Sequence, residues 1–267
     1  MTPHLTSEMV IALYRASDRH IPSVAYRGEA SRDSSQVKIS ATACLSAGFP
    51  SQILPVSAVS LSAAEKSICR LRVDLIEMLR ISLRAVDYAT KAHALGLVEF
   101  ALSVPSERKK LEYLSQTIIP ASHELYEEEL ADSQVDFIES ARAICAALLS
   151  TCQQAYEISS QTVALVTGGM HGDAKELVQL GERANRLLRL CIVAFMKQKV
   201  EYAEGVLRDI DEWRSDTEEK RSRPEYSTSA MITREAHDWP IAASLAQIME
   251  NLRTIAVASL LPYRFHY

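Results

Sequence analysis

From Ser62 onward, apolar residues recur at steps of three, four and seven in long runs; upstream only Met9, Val10, Leu13 and Tyr14 share such a face. One such stretch runs from Glu176 to Trp213 without a proline. Leu177, Leu180, Ala184, Leu187, Cys191 and Ala194 fall on one stripe, which continues through Val200, Ala203, Val206, Ile210 and Trp213. That spacing predicts one long amphipathic helix over 174–222 that needs partner helices. The stripe fades after Trp213 in the charged run SDTEEKRSR.

A second long helix is expected from Ser62 to about Ala101. Ser62 and Glu65 have the spacing of a capping box, and Ile68, Leu71, Leu75, Leu79, Val86, Ala89, His93 and Leu97 form the stripe. Gly96 marks an expected bend. Pro105 suits the first turn of the next helix, with Ser103 as its cap, and that helix should stop before Pro120. A third helix, from Pro120 or Asp132 to about Val166, carries Phe137, Ile138, Ala141, Ile144, Cys145, Leu148, Cys152 and Ala155. TGGMHGD at 167–173 is a break, with glycine available to end one helix and Asp173 to cap the next. Pro224–Ser229 reads as a loop. Pro240 should end a short helix from Thr233 or open the last one, Ile241–Leu261.

The fold class expected is all-α: an elongated bundle, two three-helix units in tandem, over 62–166 and 173–267. Residues 1–61 differ. Residues 5–17 could form a short helix, while prolines, glycines and serines crowd the rest, and Val37, Ile39 and Ala41 alternate with polar residues. This segment reads either as an irregular arm or as a small α+β segment.

Composition narrows the class. Hydrophobic residues make up 48% and charged residues 24%, ordinary values for a globular protein. The formal net charge of -5 offers no basic face for nucleic acid. Five cysteines without a CxxC pair point to buried thiols in a reducing compartment. No apolar run approaches the roughly 20 residues needed to cross a bilayer, and MTPHLTSEMV does not look like a secretory signal. Cytoplasmic localisation without membrane insertion is the expectation.

Candidate chemistry is sparse. Asp209, Asp211 and Glu212, with Glu250 on the last helix, are the carboxylates that could face each other and hold a cation. Asp209 and Asp211, two apart, do not share a helical face. Glu127-Glu128-Glu129 reads as a solvated charge run. No Glu-x-x-His motif is present, and Glu235-Ala236-His237-Asp238 is too tightly spaced to replace it. His93 reads as a core histidine, His123 and His171 as exposed. No G-x-S-x-G elbow and no P-loop occurs, so neither catalysis nor a cofactor is expected.

One family resemblance emerges from the 174–222 stretch. Leu187-Leu188, Ala194-Phe195, Lys197-Gln198-Lys199, Glu201-Tyr202-Ala203, Val206 and Asp209-Ile210-Asp211-Glu212 follow each other in an order that resembles the repeat-opening helix of PhoU-type phosphate-signalling regulators. Leu75–Leu79 with Ser82–Ala85 echoes it in the first half, and Asn251–Ala258 echoes the family's closing helix. The resemblance covers about 62–262. It implies two three-helix repeats and a non-enzymatic regulator that contacts a phosphate-transporter ATPase or a sensor kinase through helical surfaces. In the family, acidic pairs bind metal clusters; here the matching glutamate and aspartate fall on Arg253 and Val257, and LSTCQQA at 149–155 lacks them too. Metal binding is therefore not implied. Two alternatives stay open: an adaptor bundle that dimerises through an apolar face, and a helical enzyme or carrier with an interhelical cavity.

Overall fold

The computed structural model of the chain describes the backbone of residues 62–126, 130–170, 175–222 and 229–261, and the side chains of these except 220–222 and 229–238. The helix expected at 5–17, the alternation at 37–42, Glu127–Glu129, His171, Asp173 and the loop at 224–228 lie outside the described residues. All elements among the described residues are helical: α1 (Ala63–Leu95), α2 (Val98–Ala101), α3 (Val104–Tyr126), α4 (Asp132–Thr167), α5 (Lys175–Lys197), α6 (Val200–Ser222) and α7 (Ser229–Leu260).

α1 starts as its sequence requires. The Glu65 N–H donates to Ser62 Oγ at 3.1 Å and the Ser62 N–H to Glu65 Oε2 at 2.8 Å, which satisfies two orphan donors of the first turn. It ends at Leu95 rather than bending through to Ala101, because Gly96 takes a left-handed conformation, φ 64°, and closes the helix. Leu97 falls beyond the helix and is exposed. Ser103 does not supply the expected cap; its hydroxyl donates back to the Glu99 carbonyl.

Two prolines expected to stop helices do not. α3 continues through Pro120 to Tyr126, because Leu111, Ser115, Ile118, Ser122 and Leu125 keep one face buried on both sides of it while Pro120 itself faces solvent. That packing offsets a proline penalty of about 3 kcal/mol. α7 likewise runs through Pro240, which is exposed, and Ile241 directly after it is buried.

The largest correction concerns 174–222. The chain folds into two helices, α5 and α6, that pack on each other. The turn is Gln198, a non-glycine residue at φ 53°. Its amide, with the oxygen toward the guanidinium, accepts a hydrogen bond from Arg72 at 2.7 Å, so α1 braces the turn. The stripe is real on both sides: Ala184, Leu187 and Cys191 are buried in α5, Ala203, Val206 and Ile210 in α6. Unbroken periodicity reports two correctly phased amphipathic helices as readily as one long helix, because only the backbone at Gln198 distinguishes them.

The packing has a regular plan. α1, α3 and α4 contact one another pairwise, as do α5, α6 and α7; across these sets α1 packs on α5 and α4 on α7. α1 and α5 approach closely where Gly181 faces Thr90: a Cβ at Gly181 would lie 2.4 Å from Thr90 Cγ2. Near the other end of the contact, Phe137 stacks on Phe195 with centroids 6.4 Å apart, and Arg72 lies over Phe137. α7 is tied to α4 by Asn251 Nδ2, which donates to Ser150 Oγ at 3.0 Å. One continuous core joins all these helices except α2, which caps it beside Phe100 and Tyr88. Each fully buried leucine, such as Leu79, Leu148 or Leu188, contributes about 1.5–3 kcal/mol.

Candidate functional site

The acidic end of α6 sits against arginines. Arg183 and Arg186, three apart on α5, share a face and reach the same carboxylate. Arg183 Nε and Asp209 Oδ1 pair, Arg183 Nη2 donates to the Asp209 main-chain carbonyl at 2.6 Å, and Arg186 Nη2 donates to Asp209 Oδ2 at 2.7 Å. Both carboxylate oxygens and the adjacent carbonyl are thus engaged. Asp211 lies on another side of α6, with Arg253 Nε 4.0 Å away. Glu250, on α7, forms a two-pronged pair with Arg214, whose Nε donates to Oε1 at 2.9 Å. The hydrogen bond it donates to Glu250 raises the Arg214 pKa above the usual guanidinium value. Glu212 is exposed.

The four carboxylates singled out from the sequence are therefore not gathered around one point. Asp209 and Glu250 each hold their own guanidinium, and among the described residues no group of three or more His, Cys, Asp or Glu is arranged to hold a metal ion. A metal of the kind the family resemblance implies does not fit this donor set: Asp209 and Glu250 already face fixed cations, and Arg253 stands where a further acid would be needed.

Sequence reasoning missed Glu107. It is buried in α3, with a side chain 8% exposed, and Arg84 Nε of α1 donates to it at 2.9 Å while Lys110 Nζ donates at 2.6 Å. The register matches the second half. Arg84 precedes the left-handed Gly96 by twelve residues and Glu107 follows it by eleven; Arg186 and Asp209 stand at the same distances from the left-handed Gln198. The signal that could have found this pair is an arginine and a carboxylate equally spaced about each interhelical turn.

The cysteines are chemically quiet. Burial pushes the thiol of Cys145 up to about 11 and those of Cys152 and Cys191 up to about 12, so none is a nucleophile at neutral pH. His93 is buried in α1 and His123 exposed on α3, as expected.

A groove of about 1000 Å³ opens between α5, α6 and α7. Leu177 and Leu180 of α5, Trp213 of α6, and Trp239, Ala243 and Ala246 of α7 form its apolar surface. No helix among the described residues is long and apolar enough to cross a membrane.

No family model matches the sequence, and no curated protein matches it. Among solved structures, the fold is similar to that of PhoU from Pseudomonas aeruginosa, with a TM-score of 0.61 at 17% identity, covering 74% of this chain and 98% of that one. It is also similar to the phosphate transport system regulatory protein PhoU from Streptococcus pneumoniae, with a TM-score of 0.63 at 16% identity, covering 75% of this chain and 97% of that one. The all-α bundle is PhoU-like.

Proposed function

We propose that this protein is a non-enzymatic regulator of the PhoU type, acting in phosphate uptake or signalling through contacts between its helical surfaces and partner proteins. The observation that carries this reading is the likeness to two PhoU structures over nearly their whole length. In this reading the chain consists of two three-helix units, 62–166 and 173–267, preceded by the segment 1–61. The equal spacing of Arg84 and Glu107 about Gly96, and of Arg186 and Asp209 about Gln198, supports the division. Partners of the matching chemistry are a phosphate-transporter ATPase or a sensor kinase in the cytoplasm, met as a monomer or a homodimer.

The quiet thiols and the arginine-engaged carboxylates support a surface-acting rather than catalytic role. Asp209, Asp211 and Glu250 then act as charge that ties helices together, and Glu212 as exposed surface charge. Purified protein and its Asp209→Asn variant should carry no stoichiometric metal by elemental analysis; a metal lost in the variant would restore the four as ligands. The function is tested by capture of the tagged full-length protein from lysate of its own source, under phosphate-replete and phosphate-starved growth. Enrichment of transporter or kinase components over a control bundle is the expected result. Their absence under both conditions would overturn the regulator reading in favour of an adaptor bundle.

A further inference from the structure

The outward face of α3 carries no charge over its middle. From Tyr113 to His123 the sequence holds no Asp, Glu, Lys or Arg, although Tyr113, Gln116, Thr117, Ile119, Pro120 and His123 are all exposed. Tyr113 is 71% exposed and Ile119 42%. Loss of charged residues while aromatic and apolar side chains remain is what sets the centre of a protein interface apart from the rest of a surface.

Charge returns at the two ends of this face with opposite signs. Lys109, Tyr113, Gln116, Pro120 and Glu124 step by four, three, four and four, so they form one stripe along α3, and all five are exposed. Arg108 and Lys110 pair with Glu112 and Glu107, but neither Lys109 nor Glu124 has an ion-pair partner among the described residues. The order of the stripe is complementary to its own reverse. Turned end for end about the point between Gln116 and Thr117, a second α3 sets Lys109 opposite Glu124, Tyr113 opposite Pro120 and Gln116 opposite Thr117. In that register, from Glu107 to Tyr126, no carboxylate meets a carboxylate and no Lys or Arg meets another. A two-fold contact between identical chains requires this reciprocity, because the residue that i meets on its partner must itself meet i.

We propose that this face docks a second copy of the chain, α3 against α3 in antiparallel orientation about a two-fold axis. Lys109 of each protomer pairs with the partner's Glu124, and Tyr113 of each packs on the partner's Pro120. The two ion pairs lie about 22 Å apart along α3. They fix the register, while the uncharged middle supplies the apolar contact. One helix face lies at the small end of specific interfaces, so the dimer is reversible rather than permanent. The inference goes beyond the regulator reading and does not rest on it: the lysate capture can fail while the dimer forms, and the reverse.

The test is sedimentation equilibrium of the full chain across a wide range of concentrations. The unsubstituted chain should show a monomer–dimer equilibrium. Lys109→Glu and Glu124→Lys should each weaken the dimer by about tenfold, because each turns two opposite-charge contacts into like-charge ones. Mixing these two variants should restore the original affinity, since every contact between them is again opposite in sign. Tyr113→Ala should also weaken the dimer by about tenfold. All three substitutions fall on exposed side chains, so the helical circular-dichroism spectrum should be retained. A monomer at every concentration would overturn the proposal and leave this face to another segment of the chain or to a different protein. So would a dimer indifferent to both charge reversals, or a mixture that associates no better than either variant alone.

Discussion

Between α1 and α3 the chain turns on Gly96, the short α2 and Pro105, whereas between α5 and α6 it turns on Gln198 and Lys199 alone. The first corner uses residues whose own backbone preferences favour it: glycine at positive φ and proline in a first turn. The second uses a residue that disfavours it, held by the α1 guanidinium of Arg72. The ion pairs differ in the same sense. Glu107 is almost fully buried and depends on Arg84 and Lys110, while Asp209 is 22% exposed and is shared by Arg183 and by Arg186, itself 61% exposed. The same plan is thus realised by local chemistry in the first half and by tertiary support in the second. The second half also carries a groove lined by both tryptophans.

The comparison can be broken first where the halves meet. Gly181→Ala puts a methyl within 2.4 Å of Thr90 Cγ2 and should cost about 1–3 kcal/mol in urea unfolding, despite the better helix propensity of alanine. Thr90→Ala in the same chain should recover part of the loss, because it removes the two Thr90 side-chain atoms nearest the new methyl; no recovery would mean that the α1–α5 approach is not the cause.

The ion pairs come next. Arg84→Ala strands a buried carboxylate with Lys110 as its remaining partner and should cost about 2 kcal/mol, reduced from the fully buried case by the partial exposure of Arg84. Arg186→Ala should cost no more than about 0.5 kcal/mol, since Arg183 still holds Asp209 and Arg186 is largely solvated. Equal losses would erase the distinction between the halves.

The turns should respond with opposite signs. Gly96→Ala should lose about 1 kcal/mol by forcing a side chain into the left-handed region, and Gln198→Gly should gain up to about 1 kcal/mol by relieving it. A destabilised Gln198→Gly chain would show that the Arg72 contact outweighs the backbone strain. Thermal midpoints of the two variants decide this.

One effect, small for each residue, is shared by both halves. Burial raises the folded-state pKa of Cys145, Cys152 and Cys191 above the ordinary thiol value of 9.0. Their stabilising contribution is full below about pH 9 and is lost as pH rises toward about 12, because only the unfolded thiols ionise in that window. Each should weaken stability by about 1 kcal/mol at pH 10. At pH 8, thiol reagent should reach the half-buried Cys69 well before these three; rapid labelling of Cys191 would contradict its burial.

Much of this was legible in the sequence. The stripes in α1, α4, α5 and α7, the Ser62–Glu65 cap, the glycine break after α4 and the core cysteines followed from period and local chemistry. The stop placed at Pro120 was wrong because a penalty of about 3 kcal/mol is small beside a buried face that continues past the ring, and α7 also runs through Pro240. Reading 174–222 as one helix failed because a side-chain stripe is blind to a two-residue reversal when the phase is kept. The acidic residues were legible as charge but not as sites, since their partners Arg84, Arg183, Arg186 and Arg214 approach them through space.

By itself, the sequence determined that this chain forms amphipathic helices with one buried face each, because helical periodicity and burial are properties of neighbouring residues. Tertiary structure alone decided where the chain reverses, which guanidinium meets which carboxylate, and that two tryptophans twenty-six residues apart share one groove. Those outcomes depend on contacts between distant segments, such as Arg72 with Gln198 and Gly181 with Thr90, whose energies are set only when the helices have packed.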